Sequence, residues 1–221
     1  MKTNSELQKD VQDAIKWEPL LNAAEIGVTV KDGVVSLTGI VDCYAKKIEA
    51  ENAAKKVVGV KALVENIKIK FPNSWLKTDA EVANEVLAAL NSNLMIPDER
   101  LKVSVEEGWV TLEGNLPWNY QRVAAKNAVH LLMGVKGVTN NIKIKSERRD
   151  AIEQIDVENA LARSLSLDAR DIKVEVKGTT VTLMGTVNSW HQKEEAARIA
   201  WNTPGIWFVN NELAVDYEYD F

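Results

Sequence analysis

The chain has 221 residues, is 46% hydrophobic and carries a formal net charge of −5, a length that holds one large domain or two or three small ones. The acidic balance argues against a dedicated nucleic-acid binder, whose phosphate contacts need a concentrated basic field, and the single cysteine, Cys43, excludes an intrachain disulfide and a Cys-rich zinc site. No apolar run is long enough to span a bilayer, and Met1 to Asp10 lacks the apolar stretch of a secretory signal, so a cytoplasmic location is expected.

The first predicted element is a helix in which Leu7, Val11, Ala14 and Ile15 recur at three- and four-residue spacing, with Ser5 and Gln8 at capping-box spacing near its start. Two alternating stretches follow, Ile26, Val28, Val30 and then Val35, Leu37, with a glycine-bearing turn between them. Period two on both sides of a tight turn predicts a β-hairpin with one buried face. A second helix, rich in small residues, carries Ile48, Ala50, Ala53, Ala54 and Val57. Gly59 stands where that helix ends, and a last strand runs from Leu63 to Lys70.

The same elements then return twice. The string Val30 to Gly39 reappears as Val105 to Gly114 and as Val176 to Gly185, its closing glycines 75 and then 71 residues apart. These offsets also align Val11, Val86 and Val157, and Gly59-Val60, Gly134-Val135 and Gly205-Ile206. In the second copy the first helix carries Val82, Val86, Ala89 and Leu90 behind a Thr78-Glu81 cap; the hairpin is Leu101, Val103, Val105 and Val110, Leu112. Its second helix holds Val123, Ala125, Ala128, Val129 and Leu132, and its last strand runs from Val138 to Lys145. The third copy has Val157, Ala160, Leu161 and Leu165 after Asp150, then Ile172, Val174, Val176 and Val181, Leu183. Ser189 and Gln192 cap a helix with Ala196, Ile199 and Ala200, and Val209 to Val215 closes the unit.

The predicted fold class is therefore α+β: three tandem α-β-β-α-β domains over 1–72, 73–147 and 148–221. A right-handed crossover makes each a three-stranded mixed sheet packed on two helices. The connections Phe71 to Lys77 and Ser146 to Arg149 are too short for flexible tethers, so the domains are expected to touch.

A hairpin ending in Val-x-Leu-x-Gly, an alanine-rich helix and a following Gly-Val resembles the BON domain (bacterial OsmY and nodulation). The resemblance rests on Val35 to Gly39 with Gly59-Val60, Val110 to Gly114 with Gly134-Val135, and Val181 to Gly185 with Gly205-Ile206. It is close to soluble triple-BON proteins, whose second copy carries a Gly-Trp-Val-Thr-Leu string and Trp-x-Tyr, here Gly108 to Leu112 and Trp118 to Tyr120. The resemblance implies an α-β-β-α-β fold, no enzymatic activity, no cofactor, and a role in binding phospholipid or other envelope components, often under osmotic stress.

Binding candidates come first from seven tryptophans. Tyr44, Trp118 with Tyr120, and Trp190 fall between hairpin and second helix in each copy, and Trp109 alternates with Val110 so that it points away from the core. Such residues join an apolar body to a polar tip and suit wet interfaces. Lys46, Lys47, Lys55 and Lys56 on the second helix of copy one, with Lys68, Lys70, Lys143 and Lys145 on strands, predict a basic face for an anionic phospholipid surface or a protein partner. Gly39, Gly114, Gly185, Gly59, Gly134 and Gly205 are expected to be structural, and the tail Val215 to Phe221 a frayed end.

His130 and His191 stand alone, with no nucleophile or metal partner at a useful spacing, so neither catalysis nor a metal site is expected. The alternative is a cytoplasmic cation or small-ligand sensor using Asp98, Glu99, Asp168 and Asp171 in the loops before the hairpins. A ring or filament subunit is a third reading, by analogy of fold alone.

Overall fold

Residues 2–97, 101–145, 154–164 and 171–215 are described by the computed structural model. Each copy starts with a helix: α1 (Asn4–Lys16), α3 (Asp79–Asn91) and α5 (Gln154–Ala162). Apolar residues one helical turn apart put Leu7, Val11 and Ile15, then Val82, Val86 and Leu90, then Val157 and Leu161 into the cores. Thr78 and Glu81 form the expected capping box, with the Thr78 N–H donating to the Glu81 carboxylate at 2.8 Å. In α1 the box lies two residues upstream of the Ser5-Gln8 expectation, at Thr3 and Glu6. A carboxylate at the positive end of the helix is a stronger acceptor than the Gln8 amide, and the Thr3 start leaves Ser5 inside the first turn. Asp150 and Leu165, predicted for the third copy's first helix, lie outside the described residues, as do Ser146 to Arg149 and the tail from Asp216.

The hairpins are β1 (Ile26–Lys31) with β2 (Val34–Val41), β4 (Leu101–Glu106) with β5 (Trp109–Leu116), and β7 (Ile172–Lys177) with β8 (Thr180–Val187). All three share one register, in which Val28 faces Leu37, Val103 faces Leu112 and Val174 faces Leu183. The two-residue turns take left-handed angles, φ 52° and 82° at Asp32-Gly33 and 50° and 82° at Glu107-Gly108, matching the twist of the strands they join. Gly39 and Gly185 close their strings at φ 145° and 117°, where an added Cβ would stand 2.1 Å from the Glu25 carbonyl oxygen and 1.9 Å from that of Asp171. Backbone crosses backbone there, so no side chain fits.

The second helices are α2 (Tyr44–Lys55), α4 (Asn119–Val129) and α6 (Trp190–Trp201), which bury Ala50, Ala53 and Ala54, Ala125 and Val129, and Ala196 and Ala200. Last strands follow: β3 (Ala62–Ile69), β6 (Gly137–Ile144), and β9 (Phe208–Asn211) with β10 (Ala214–Val215). The second hairpin strand is central in each sheet, and β5–β6 and β8–β9 are parallel pairs. The strand expected to run unbroken from Val209 to Val215 breaks at Glu212 and Leu213. There the Asn211 side-chain oxygen accepts from the Leu213 N–H at 3.3 Å and Leu213 turns into the core. In β6, which runs on unbroken, the Asn140 side-chain oxygen likewise accepts from the Ile142 N–H at 3.3 Å, and the amides of Asn140 and Asn211 donate to the Arg122 and Lys193 carbonyls at 2.9 and 2.8 Å, tying each strand to its helix. Glu65 holds this position in copy one and also accepts from the amide two residues on, that of Ile67.

Two compact units result: the described residues of Met1–Ile40, Ile48–Lys68 and Asp150–Phe221 form one, and those of Val41–Lys47 and Ile69–Arg149 the other. Among the described residues no helix is long and apolar enough to cross a membrane.

Candidate binding surface

The aromatic residues between hairpin and second helix occupy three different environments. The offsets that align the closing glycines make Asn119, not Trp118, the counterpart of Tyr44 and Trp190, while Trp118 stands at the place of Cys43 and Ser189. Tyr44 is buried and offers no binding surface. Asn119 is buried as well, its side-chain oxygen lacking a hydrogen-bond partner among the described residues. Trp190 is half-buried; its indole N–H donates to the Lys61 carbonyl of copy one at 3.2 Å, and the Lys193 ammonium lies 5.8 Å from the ring centre. That contact, with the Lys55–Glu194 ion pair at 3.0 Å, joins copies one and three within one unit.

The expected basic face on α2 has another geometry. No residue of that helix is fully exposed. Lys46 pairs with Asp42 at 2.8 Å, Lys55 with Glu194, and the exposed Lys56 with Glu18 at 3.2 Å; Lys47 is half-buried and also engaged. The bond from Lys46 and burial set the neighbouring acid–base properties: the Asp42 carboxyl is held below its usual value by the ammonium, while burial pushes the Cys43 thiol up. Lysines already committed to carboxylates lose much of their attraction for an anionic surface.

The second copy presents a surface that is open. Trp118 precedes α4 and its ring stacks on Tyr120, centroids 6.4 Å apart and planes 26° apart, with Tyr120 49% exposed. One turn on, Val123 is exposed, and past the helix end so are Leu131 and Met133. Arg122 and Lys126 lie beside this strip, both half-buried; burial draws the Arg122 guanidinium below its usual value, and Arg122 is engaged within the fold. From Gly114 to Ser146 the chain holds no acidic residue and five cations, Arg122, Lys126, Lys136, Lys143 and Lys145. Charge counted copy by copy hides this run, because Glu106, Glu107 and Glu113 immediately before it bring copy two to a net −1. A sliding charge count along the sequence exposes it.

Trp109 is 52% exposed on the sheet face away from the helices. His191 is exposed, and the His130 ring nitrogen Nδ1 is 2.9 Å from the Asn127 carbonyl oxygen of its own helix. Among the described residues no group of three or more His, Cys, Asp or Glu side chains is arranged to hold a metal. Asp98, Glu99 and Asp168 lie outside the described residues, and Asp171 is exposed before β7.

The BON domain family model matches residues 3–70, 78–146 and 150–217. Among characterised proteins, the osmotically-inducible protein Y of Escherichia coli K12 is 26% identical over 146 residues, covering 64% of this chain and 73% of that protein. Among solved structures, the C-terminal domain of CdsD, a structural protein of the type III secretion system of Chlamydia trachomatis, is 17% identical. It covers 97% of this chain and 100% of that one at a TM-score of 0.26. A second structure of CdsD is 19% identical, covering 94% and 91%, at a TM-score of 0.25. Likeness at that level carries no argument about assembly.

Proposed function

Because this chain belongs to the BON domain family, in three copies, we propose that it is a non-enzymatic binding protein that docks on an anionic phospholipid surface of the cell envelope in the response to osmotic stress. The observation that carries the docking is the outer side of α4: Trp118, Tyr120, Val123, Leu131 and Met133 form an apolar strip beside Arg122 and Lys126, within a run free of acidic residues. Aromatic rings of this kind sit at the headgroup level, and cations near an anionic leaflet contribute about 1 kcal/mol each. The stress role rests on the name of the Escherichia coli relative.

Co-flotation with liposomes tests the docking. The intact chain should float with phosphatidylglycerol-containing vesicles at low salt, float less at moderate salt, and stay behind with purely zwitterionic ones. Trp118→Ala with Tyr120→Ala, or Val123→Asp alone, should abolish flotation, whereas Lys56→Ala just past α2 should leave it unchanged. Absence of flotation under every condition would end the lipid reading and leave a protein partner for the same strip.

A further inference from the structure

The open face of the second sheet carries a cavity that lipid docking through α4 does not use. Side chains alternate along β4 and β5, so Ser104, Glu106, Trp109 and Thr111 share the side turned away from the helices. Glu106 and Trp109 are direct cross-strand partners, as are Ser104 and Thr111, which sets a carboxylate beside an indole. With Val105 and Glu107 these residues line an open cavity of about 460 Å³, within the range of small-molecule sites.

The indole and the turn beside it are held in place. Trp109 partners Gly137 on the parallel strand β6, and an added Cβ at Gly137 would stand 2.2 Å from the ring. The indole thus rests on a bare α-carbon and presents itself as a platform. The turn is fixed from below, since the Glu107 and Gly108 amides donate to the Asp79 carboxylate at 2.8 and 2.9 Å. Neither Glu106 nor Glu107 is ion-paired among the described residues.

The other two copies act as internal comparisons. Where copy two has Glu106, Trp109 and Gly137, copy one has Lys31, Val34 and Ala62, and copy three has Lys177, Thr180 and Phe208. The pairing of an indole with a carboxylate at this place belongs to the second copy.

We propose that this cavity binds a small, soluble organic ammonium ion, such as choline, with the Trp109 face and the Glu106 and Glu107 carboxylates as its recognition groups. The face of an indole attracts cations through its quadrupole. An alkylated ammonium also covers the ring with its methyl groups and sheds water more easily than an inorganic cation does. Glu113 on the same face, with Glu106 and Glu107, repels the phosphate of a lipid head group; Lys102 and Lys143 lie at the end of the face far from the turn, and Lys136 lies with its stem against Gly108 at the turn. The free solute is therefore the ligand that fits.

Titration of the full chain by ¹H–¹⁵N correlation spectra tests this. Choline and tetramethylammonium should give saturable shifts confined to the Trp109 indole and the amides of Ser104 to Thr111, with a Kd on the order of 1–10 mM, as one exposed cation–π contact aided by charge provides. Glu106→Gln, which keeps the shape, and Trp109→Thr, the residue of copy three, should each weaken binding about tenfold with the spectrum still dispersed. Any of four results would overturn the proposal: no saturation, equal shifts from sodium at matched ionic strength, equal shifts from the neutral isostere 3,3-dimethylbutan-1-ol, or perturbation of the same signals by phosphatidylcholine vesicles at equal choline concentration.

Discussion

Replacing Asp79 by alanine removes a side chain that ties the turn of the second hairpin to the first helix of its copy. Two charge-assisted hydrogen bonds are lost, from the Glu107 and Gly108 amides at 2.8 and 2.9 Å, the second of them partly buried. Bonds to charged groups contribute about 1.5–3 kcal/mol each, and solvent exposure of the first favours the low end. Loss of an acid from the first helical turn costs about 0.5 kcal/mol more, which the better helix propensity of alanine roughly offsets. The expected penalty is about 3–4 kcal/mol. Asp79→Asn should lose about half of that, because one acceptor oxygen remains; copy one runs on this economy, with the Asn4 side-chain oxygen taking a single bond from the Asp32 amide at 2.9 Å. A chain of three domains need not unfold in one step, so the measure is native-state hydrogen exchange at the Glu107 and Gly108 amides. Protection should fall about 150- to 900-fold in Asp79→Ala. Exchange within threefold of the unmodified chain would show that the turn holds itself and refute the reasoning.

Gly185→Ala forces a Cβ to within 1.9 Å of the Asp171 carbonyl at φ 117°; strain and overpacking together should destabilise the third copy by about 3 kcal/mol, read as an earlier urea transition. Trp190→Phe keeps the ring but loses the bond to the Lys61 carbonyl, so protease cleavage between copies two and three should release copy three from copy one more readily than in the parent chain. Cys43, with its thiol pushed up by burial, should react with a thiol reagent at pH 8 far more slowly than free cysteine and at the free rate in urea. Asp42 and Glu195 are held below their ordinary values of 3.8 and 4.5 by Lys46 and Arg198. The stability they add is present above those values and is lost as pH falls through the lowered ones. Thermal scans from pH 6 downward should show this loss, and Asp42→Asn with Glu195→Gln should flatten it.

Repetition made the fold legible. A single Val-x-Leu-x-Gly string is weak, but its return at offsets that also align Val11, Val86 and Val157 locates every core strand and helix. Signals that depend on which carboxylate lies near which amide were not legible in the same way. Thr3-Glu6 and Ser5-Gln8 have identical spacing, and the stronger acceptor, the Glu6 carboxylate, marks the cap that forms. The four lysines on α2 and just past its end looked like a patch because Glu18 and Glu194, which pair with Lys56 and Lys55, are distant in sequence. Likewise Asn140 and Asn211 read as ordinary strand polar residues until their helix carbonyl partners are seen. The strip on α4 was half legible, since Trp118 and Tyr120 are conspicuous but the exposure of Leu131 and Met133 follows from where the helix ends.

Tyr44, Asn119 and Trp190 stand at one topological address in three different settings: one fills a core, one sits buried with a side-chain carbonyl unmatched among the described residues, one bolts its copy to another. The three are therefore not interchangeable parts. A chain rebuilt from three copies of the first would fold its sheets and bury three tyrosines, yet it would lack the Trp190 bolt, the α4 strip and the Trp109 platform together.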